Sequence, residues 1–333
     1  MAIAPLDVVG IGNAIVDIIA HADDAFIARQ GMTKGAMTLI DAARAEEVYA
    51  AMGPGLEMSG GSAGNTIAGV ALLGGSAGYI GKVRDDQLGA VFRHDLTSLG
   101  VRFTTAPLTS GLPTARSMIL VTPDAERTMH TFLGACVELG PEDVDPALIR
   151  DAQVTYLEGY LYDPPRAQEA FGRAAEIAHS AGRRVSLSLS DPFCVGRHRQ
   201  AFRSFIAGHV DVLFANEVEI LSLFETDDLA VALDAVSSLC AIAAVTRGAK
   251  GSVVVTPAER VEVPAAPVAR VVDTTGAGDL YAAGFLHGLT TERPLATCAR
   301  LGGVCAAEVI SHYGARPEAS LKDLVKDLVA HAA

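Results

Sequence analysis

The sequence predicts a three-layer α/β/α fold on a doubly wound, mostly parallel central sheet, with a small β-sheet as a lid. The first observation is a set of apolar segments typical of buried strands, at residues 6–11, 154–157, 185–189, 212–214 and 243–246. The second is that helical patterns, such as residues 165–181, separate the later segments. Strands that alternate with helices form a parallel sheet covered on both faces. The chain has 333 residues, half of them apolar, which is enough for one large core.

The lid is predicted from a change of pattern after residue 100. Residues 116–121 and 127–132 have the composition of strands, and the turn-forming sequence Pro123-Asp124-Ala125-Glu126 lies between them, so they form a hairpin. Residues 15–38 are predicted to be irregular strands and turns. We assign residues 15–38 and 101–133 to the lid, and residues 1–14, 39–100 and 134–333 to the large domain. A lid of this kind excludes water from a bound substrate.

Composition narrows the class of protein. The net charge of −13 disfavours a general nucleic-acid or anionic-membrane surface. The five cysteines are widely spaced and include no C-x-x-C pair, which indicates reduced thiols and a cytoplasmic location. Residues 1–20 lack the basic leader of a signal peptide and contain polar residues that do not suit a membrane span. We expect a monomer or a homodimer that binds small molecules.

One stretch organises the rest of the chain. Val271-Val272-Asp273-Thr274-Thr275-Gly276-Ala277-Gly278-Asp279 leaves an apolar strand, passes through glycines and leads into a helical pattern that begins near Asp279. The free N–H groups at Gly276, Ala277 and Gly278 would favour an anion. Asp279 suits a general base that takes a proton from an attacking hydroxyl, and it equally suits an ordinary N-cap.

Other polar residues lie where predicted strands end or helices begin. Gly60, Gly61 and Asn65 introduce the helical segment 66–73, and Asn65 can both donate to and accept from a hydroxyl. Asn216 and Glu219 follow a strand and share one helical face, which suits either a magnesium shell or a capped first turn. Arg116 and Arg127 in the hairpin could reach phosphates, although exposed arginines of this kind are usually solvated.

The residues 273–285 resemble the second signature of the ribokinase-like carbohydrate kinase family, Asp-Thr-x-Gly-Ala-Gly-Asp followed by an aromatic residue and small residues. Tyr281 stands where members usually have Phe. Three further motifs resemble those of the family and occur in its order: Gly-Asn-x-x-x-Asp ending at Asp17, Gly-Gly-x-x-x-Asn ending at Asn65, and Asn-x-x-Glu from Asn216 to Glu219. The sequence Leu-Ser-Asp-Pro-Phe at residues 189–193 is similar to the adenosine kinase branch.

The resemblance implies a role for each matching residue. Asp279 is the expected catalytic base, and Gly276, Ala277 and Gly278 form the expected anion hole. The expected substrate ligands are Asp17, Gly60, Gly61 and Asn65, with Phe132 as an aromatic candidate for stacking on a purine. The nucleotide is expected at Asn216, Thr246, Arg247 and Gly248, Mg²⁺ at Glu219 through water, and a monovalent cation such as K⁺ near Asp273.

These roles imply ATP-dependent phosphorylation of the 5′-hydroxyl of adenosine, giving AMP and ADP. The nearest alternative is a sugar kinase of the same family that acts on ribose, fructose or a keto-deoxy sugar acid. A nicotinamide-dependent oxidoreductase is disfavoured because Ile15 occupies the third glycine position of a dinucleotide fingerprint that begins at Gly10. A binding protein without catalysis is disfavoured by the presence of Asp279 and Glu219.

Overall fold

The computed structural model describes residues 5–124 and 126–330. The strands of this part are β1 (Leu6–Ile11), β2 (Ile15–His21), β3 (Met37–Leu39), β4 (Leu56–Ser59), β5 (Ala77–Ile80), β6 (Arg102–Phe103), β7 (Ala115–Val121), β8 (Arg127–Phe132), β9 (Ala152–Glu158), β10 (Arg184–Ser188), β11 (Val212–Asn216), β12 (Ile242–Thr246), β13 (Ser252–Val255) and β14 (Arg260–Val263). The helices are α1 (Asp24–Arg29), α2 (Ala42–Ala51), α3 (Ser62–Leu72), α4 (Gln87–Ser98), α5 (Pro146–Asp151), α6 (Pro165–Ser180), α7 (Pro192–His209), α8 (Glu217–Phe224), α9 (Leu229–Ser237), α10 (Ala277–Thr290), α11 (Leu295–Val309) and α12 (Leu321–Ala330).

The central sheet has nine strands in the order β14-β13-β12-β11-β10-β9-β1-β5-β6. Every pair from β12 to β6 is parallel, and β13 and β14 add an antiparallel edge. The chain leaves β1 towards β5 on one side and later returns to add β9 on the other. The carboxyl ends of strands at such a reversal form a crevice where α/β proteins bind ligands. The predicted mostly parallel sheet is confirmed.

Two apolar cores lie on opposite faces of this sheet. One contains side chains of α6, α7, α8 and α9, and the other contains side chains of α3, α4, α10 and α11. Their burial explains why the strands are apolar without alternation, since both faces of each strand are covered. The predicted three-layer arrangement is therefore confirmed. None of the helices in residues 5–124 and 126–330 is long and apolar enough to cross a membrane.

The second sheet is small, with the strand order β3-β8-β7-β2-β4. Strands β7 and β8 pair in antiparallel fashion, so the predicted hairpin is confirmed. A separate apolar cluster, which includes Met118, Leu120 and Phe132 of the sheet and Ala45 and Val48 of α2, lies beneath it.

The extent of the small sheet differs from the sequence prediction in three ways. Residues 15–38 include helix α1, whose N-cap Asp23 accepts a hydrogen bond from the Phe26 N–H at 2.6 Å. Strand β4 joins the small sheet although residues 39–100 were assigned to the large domain, and β6 joins the central sheet although residues 101–133 were assigned to the lid. Both strands are short and show little alternation of apolar and polar residues, so only their pairing with other strands shows which sheet they join.

The domain boundaries themselves stay a prediction. Residues 1–4 and 331–333, at the ends of the predicted large domain, and Ala125 in the predicted turn lie outside the described residues.

Candidate active site

Helix α10 begins at a glycine that has no side-chain cap. Gly276 is the N-cap residue and has a left-handed φ of 78°. A β-carbon added to Gly276 would lie 2.7 Å from the β-carbon of Ala315, so packing as well as conformation requires glycine here. The N–H of Ala277 donates to the Thr274 carbonyl at 3.2 Å. Of the three predicted anion-hole donors, the Ala277 N–H is thus already engaged, whereas the N–H groups of Gly276 and Gly278 have no hydrogen-bond partner among the described residues.

Asp279 is the third residue of α10, so it is not the N-cap of the helix. Its carboxylate accepts hydrogen bonds from Ser62 Oγ at 2.6 Å and from Asn65 Nδ2 at 2.9 Å. Both donors belong to α3. Burial raises the pKa of Asp279, while these two hydrogen bonds and the nearby Arg316 act to lower it. The carboxylate is thus a hydrogen-bond acceptor that is fixed in place where α3 and α10 meet.

Helix α3 also begins at a left-handed glycine. Gly61, its N-cap, has φ 77° and no side-chain cap, and an added β-carbon would lie 2.2 Å from the Asn13 carbonyl oxygen. The predicted helix is confirmed and begins at Ser62. The N-termini of α3 and α10 therefore meet at Asp279, and their dipoles favour negative charge there. In α3 the Ala63 N–H already donates to the Glu158 carboxylate.

Asn65 is buried, and only one of the two polar atoms of its side chain has a hydrogen-bond partner among the described residues. Its Nδ2 donates to Asp279, whereas its Oδ1 has no hydrogen-bond partner among the described residues. A buried amide oxygen without a donor is costly, so this atom suits a hydroxyl that would donate to it.

Asp17 lies on β2 beside the glycine entry of α3. A β-carbon on Gly60 would lie 2.3 Å from a carboxylate oxygen of Asp17, so only glycine allows this approach. The pKa of Asp17 is raised to about 6, mainly by burial and to a smaller extent by Asp279, while Arg316 and Arg127 lower it. The structure thus brings Asp17, Gly60 and Gly61 close to Ser62 and Asp279. It places the ring of Phe132 in the apolar cluster beneath the small sheet instead, only 6% exposed.

Asn216 and Glu219 form a complete capping box at the start of α8. Asn216 Oδ1 accepts from the Glu219 N–H at 2.8 Å, and the Glu219 carboxylate accepts from the N–H of Asn216 at 2.9 Å and from its Nδ2 at 2.6 Å. Burial raises the pKa of Glu219 to about 7, and the neighbouring Asp191 and Asp279 contribute to the rise. Asn216 and Glu219 are therefore hydrogen-bonded to each other, as in an ordinary capped first turn.

The other predicted nucleotide ligands lie beside this capping box. Thr246 ends β12 and pairs in register with Asn216 on β11. The guanidinium of Arg247 lies 3.9 Å from Glu217 and 3.6 Å from Glu262, and Gly248 has a left-handed φ of 56°. The carboxyl ends of two adjacent strands thus bring the four residues together.

Asp273 is fully engaged in the structure. Its carboxylate forms a buried ion pair with Arg127 and accepts from the N–H groups of Thr275 and Gly314, each at 3.0 Å. The expectation that the hairpin arginines are solvated is wrong, because Arg116 is also buried and pairs with Glu46 at 2.5 Å. A hairpin that packs against a second domain buries side chains that the local sequence pattern treats as exposed.

Sequence reasoning missed three residues of this region. Ser62 donates to Asp279, and the Gly-Gly-x-x-x-Asn pattern could have identified it as the first residue of the helix. Glu158 is 1% exposed and accepts from Ala63 N–H at 2.8 Å and from Asn13 Nδ2 at 2.7 Å; burial raises its pKa to about 7. Arg316 follows α11 without any local signal.

Known proteins resemble this chain over most of its length. The profile described as pfkB family carbohydrate kinase matches residues 36–322. A crystal structure of adenosine kinase from Sinorhizobium meliloti is 56% identical, with a TM-score of 0.90 over 97% of this chain and 99% of that one. A probable sugar kinase from Rhizobium etli is 53% identical, with a TM-score of 0.90 over 97% and 98%. An ATP-dependent ribose-1-phosphate kinase from Halopiger xanaduensis is 34% identical over 78% of this chain and 83% of its own.

Proposed function

Because the chain belongs to the pfkB family of carbohydrate kinases and is thus a sugar or nucleoside kinase, we propose that it transfers the terminal phosphoryl group of ATP to the 5′-hydroxyl of adenosine. The family itself agrees with the resemblance found in the sequence. The observation that carries the proposal is the Asp279 carboxylate, held by Ser62 and Asn65 at the uncapped start of α10.

Asp279 takes the proton of the attacking hydroxyl in this mechanism. Its two hydrogen bonds fix the carboxylate in place, and its raised pKa makes it a stronger proton acceptor than an ordinary aspartate. The open N–H groups of the α10 turn stabilise the charge on the transferring phosphoryl group. Asn65 Oδ1 and the Asp17 carboxylate accept hydrogen bonds from the ribose hydroxyls, which gives the unpartnered amide oxygen its donor.

Magnesium would reach this site with the phosphates of ATP. No group of three His, Cys, Asp or Glu side chains in residues 5–124 and 126–330 could hold a metal ion by itself, and Mg²⁺ usually keeps several waters and binds substrate phosphates. When bound it neutralises phosphate charge, and Glu219 would hold one of its waters. A monovalent cation near Asp273 stays a prediction, and Arg127 already places a positive charge on that carboxylate.

The charges around the acceptor site favour an uncharged acceptor. Arg316 and Arg127 are the cations that act on Asp17, and both are engaged: Arg316 with carbonyl groups and Arg127 with Asp273. A sugar phosphate or a sugar acid needs a cation to bind its anionic group. This favours adenosine, the substrate named for the 56% identical neighbour, over ribose 1-phosphate, the substrate named for the 34% identical relative.

A panel of acceptors with ATP and Mg²⁺ tests the proposal. The panel contains adenosine, ribose, fructose, ribose 1-phosphate and a keto-deoxy sugar acid, and ADP release is followed for each. We expect the highest kcat/KM for adenosine, with AMP and ADP formed in equal amounts. A higher kcat/KM for ribose 1-phosphate or for a free sugar would overturn the choice of acceptor and leave the family assignment intact.

A further inference from the structure

Three consecutive residues after α11 pack against the candidate active site: Gly314, Ala315 and Arg316. The Gly314 N–H donates to Asp273 at 3.0 Å. The β-carbon of Ala315 lies where a side chain on Gly276 would have to go. The Arg316 guanidinium donates to the Gly64 carbonyl at 3.1 Å, to the Ser59 carbonyl at 2.8 Å and to Ser59 Oγ at 2.9 Å.

The acceptors of Arg316 belong to two parts that must be aligned for catalysis. Gly64 lies in the first turn of α3, between Ser62 and Asn65, the two donors that hold Asp279. Ser59 ends β4 of the small sheet and pairs with Val16, next to Asp17. One planar guanidinium thus ties the helix that orients the base to the sheet that carries Asp17.

Arg316 also places a positive charge in an acidic region, where Arg127 is the second cation that acts on Asp17. The charged and titratable groups that act on it come from four elements: Asp17 on β2, Tyr79 on β5, Asp95 on α4 and Asp279 on α10. Asp95 in turn accepts from the Ser59 N–H at 2.7 Å. An arginine stays protonated at every pH at which the enzyme is folded. It therefore supplies a constant charge beside carboxylates that titrate.

We propose that Arg316 is a positioning residue for phosphoryl transfer, which holds α3 and β4 in register and places its positive charge among the carboxylates of the site. The proposal rests on the proposed role of Asp279. It predicts two separable effects of Arg316. The hydrogen bonds of the Arg316 guanidinium to Gly64 and Ser59, which we call the fork, affect kcat. Misplacing a catalytic group by about 1 Å typically lowers the rate on the order of a hundredfold. The positive charge of Arg316 affects the pH below which kcat/KM falls, which is the acid limb of the pH profile.

Two substitutions separate these effects, and a third serves as a matched control. Arg316→Met removes both the fork and the charge, whereas Arg316→Lys keeps the charge and replaces the fork by a compact ammonium. Arg93→Met is the control, because Arg93 also donates to two carbonyls, of Phe103 at 2.9 Å and Thr105 at 2.8 Å, without contacting this site.

Activity against pH is the first readout. We expect Arg316→Met to lower kcat on the order of a hundredfold and to move the acid limb of kcat/KM upward by about one pH unit, the usual effect of losing one adjacent cation. Arg316→Lys should lower kcat with the acid limb near its parental position. Arg93→Met should change neither.

Stability against pH is the second readout and needs no acceptor. Asp17 has a pKa of 3.8 when unfolded and about 6 when folded, so the folded state binds its proton more tightly and stability falls as the pH rises between these values. Losing Arg316 raises the folded pKa further. The destabilisation caused by Arg316→Met should therefore grow from pH 4 to pH 7, whereas that of Arg93→Met should stay constant.

The outcomes distinguish the two proposals. If the wild type makes no AMP, adenosine is the wrong acceptor, and the stability readout still tests Arg316. If Arg316→Met keeps the parental acid limb and shows the same flat stability difference as Arg93→Met, Arg316 is only structural and the inference is overturned. If Arg316→Met does not fold, an Arg316→Lys variant with parental kcat overturns the positioning role.

Discussion

Helices α8 and α10 each carry a carboxylate at the third position, and the two carboxylates behave differently. Glu219 of α8 turns back and bonds its own N-cap residue, Asn216. Asp279 of α10 has a glycine as N-cap, which offers no side chain, and so it reaches across to Ser62 and Asn65 of α3. The carboxylate at the third helical position thus caps its own helix in α8, whereas in α10 it forms hydrogen bonds to a different helix.

The difference explains which helix start is ready for an anion. The capping box of α8 engages the Glu219 N–H and both polar side chains, Asn216 and Glu219, with each other. The α10 turn has no side-chain cap, and its carboxylate is oriented by another element. Asn216 and Glu219 must therefore exchange partners to bind a nucleotide or a hydrated metal, whereas Asp279 and its turn are already arranged.

The largest expected effect is that of Asp279→Asn. The amide keeps the size of the side chain and removes the proton acceptor, so we expect kcat for AMP formation to fall by about 10²- to 10⁴-fold, the range typical of general base catalysis. The matched substitution Glu219→Gln changes the same helical position in α8 and should cost much less. Equal losses in the two variants would contradict the distinction between the two helices.

Gly276→Ala tests the turn itself. The left-handed φ and the contact with Ala315 impose strain of about 1–3 kcal/mol on any side chain at this position, so we expect a lower melting temperature and a loss of kcat of roughly tenfold or more. Gly172→Ala is the control, because Gly172 lies within α6 with nothing within 4 Å of an added β-carbon. A Gly276→Ala enzyme with parental kcat would show that the turn makes no contribution to transfer.

The pH profile is expected to have an acid limb near neutrality. The raised pKa values of Asp17, about 6, and of Glu158, about 7, together with the raised pKa of Asp279, mean that carboxyl groups become protonated as the pH falls through this range. Protonation removes the base and the hydroxyl acceptors, so kcat/KM should fall from pH 7.5 to pH 5. A profile that is flat over that range would contradict the account.

Glu219→Gln should have the smallest effect on kcat and a distinct effect on stability. The folded pKa of Glu219, about 7, exceeds its unfolded value of 4.5, so wild-type stability falls as the pH rises from 4.5 through 7. Glu219→Gln should reduce this slope in urea unfolding and raise the Mg²⁺ concentration needed for half-maximal rate. If the Mg²⁺ requirement is unchanged, Glu219 acts only as a cap.

Much of the fold followed from the sequence because buried parallel strands and amphipathic helices have strong local patterns. The hairpin and the glycine entries to α3 and α10 were found in this way, since each glycine marks a backbone conformation that other residues avoid. The pairing of strands β4 and β6 was not predicted, because they have only four and two residues and pair through tertiary contacts.

The residues of the candidate site also divide into those with a local sequence signal and those without one. Asp17, Asn65 and Asp279 were predicted from motifs that place them at strand ends and helix starts. Arg316 and the buried pair of Arg127 with Asp273 were not, because their partners are more than 140 residues away along the chain. Long-range polar contacts of this kind leave no periodic trace in a single sequence.

The most direct test is a crystal structure of the protein with adenosine, ADP, Mg²⁺ and aluminium fluoride as a mimic of the transferring phosphoryl group. We expect fluoride atoms within hydrogen-bonding distance of the first-turn N–H groups of α10, and the adenosine 5′-hydroxyl facing the Asp279 carboxylate. Aluminium fluoride bound away from the start of α10, or a 5′-hydroxyl directed away from Asp279, would contradict this expectation.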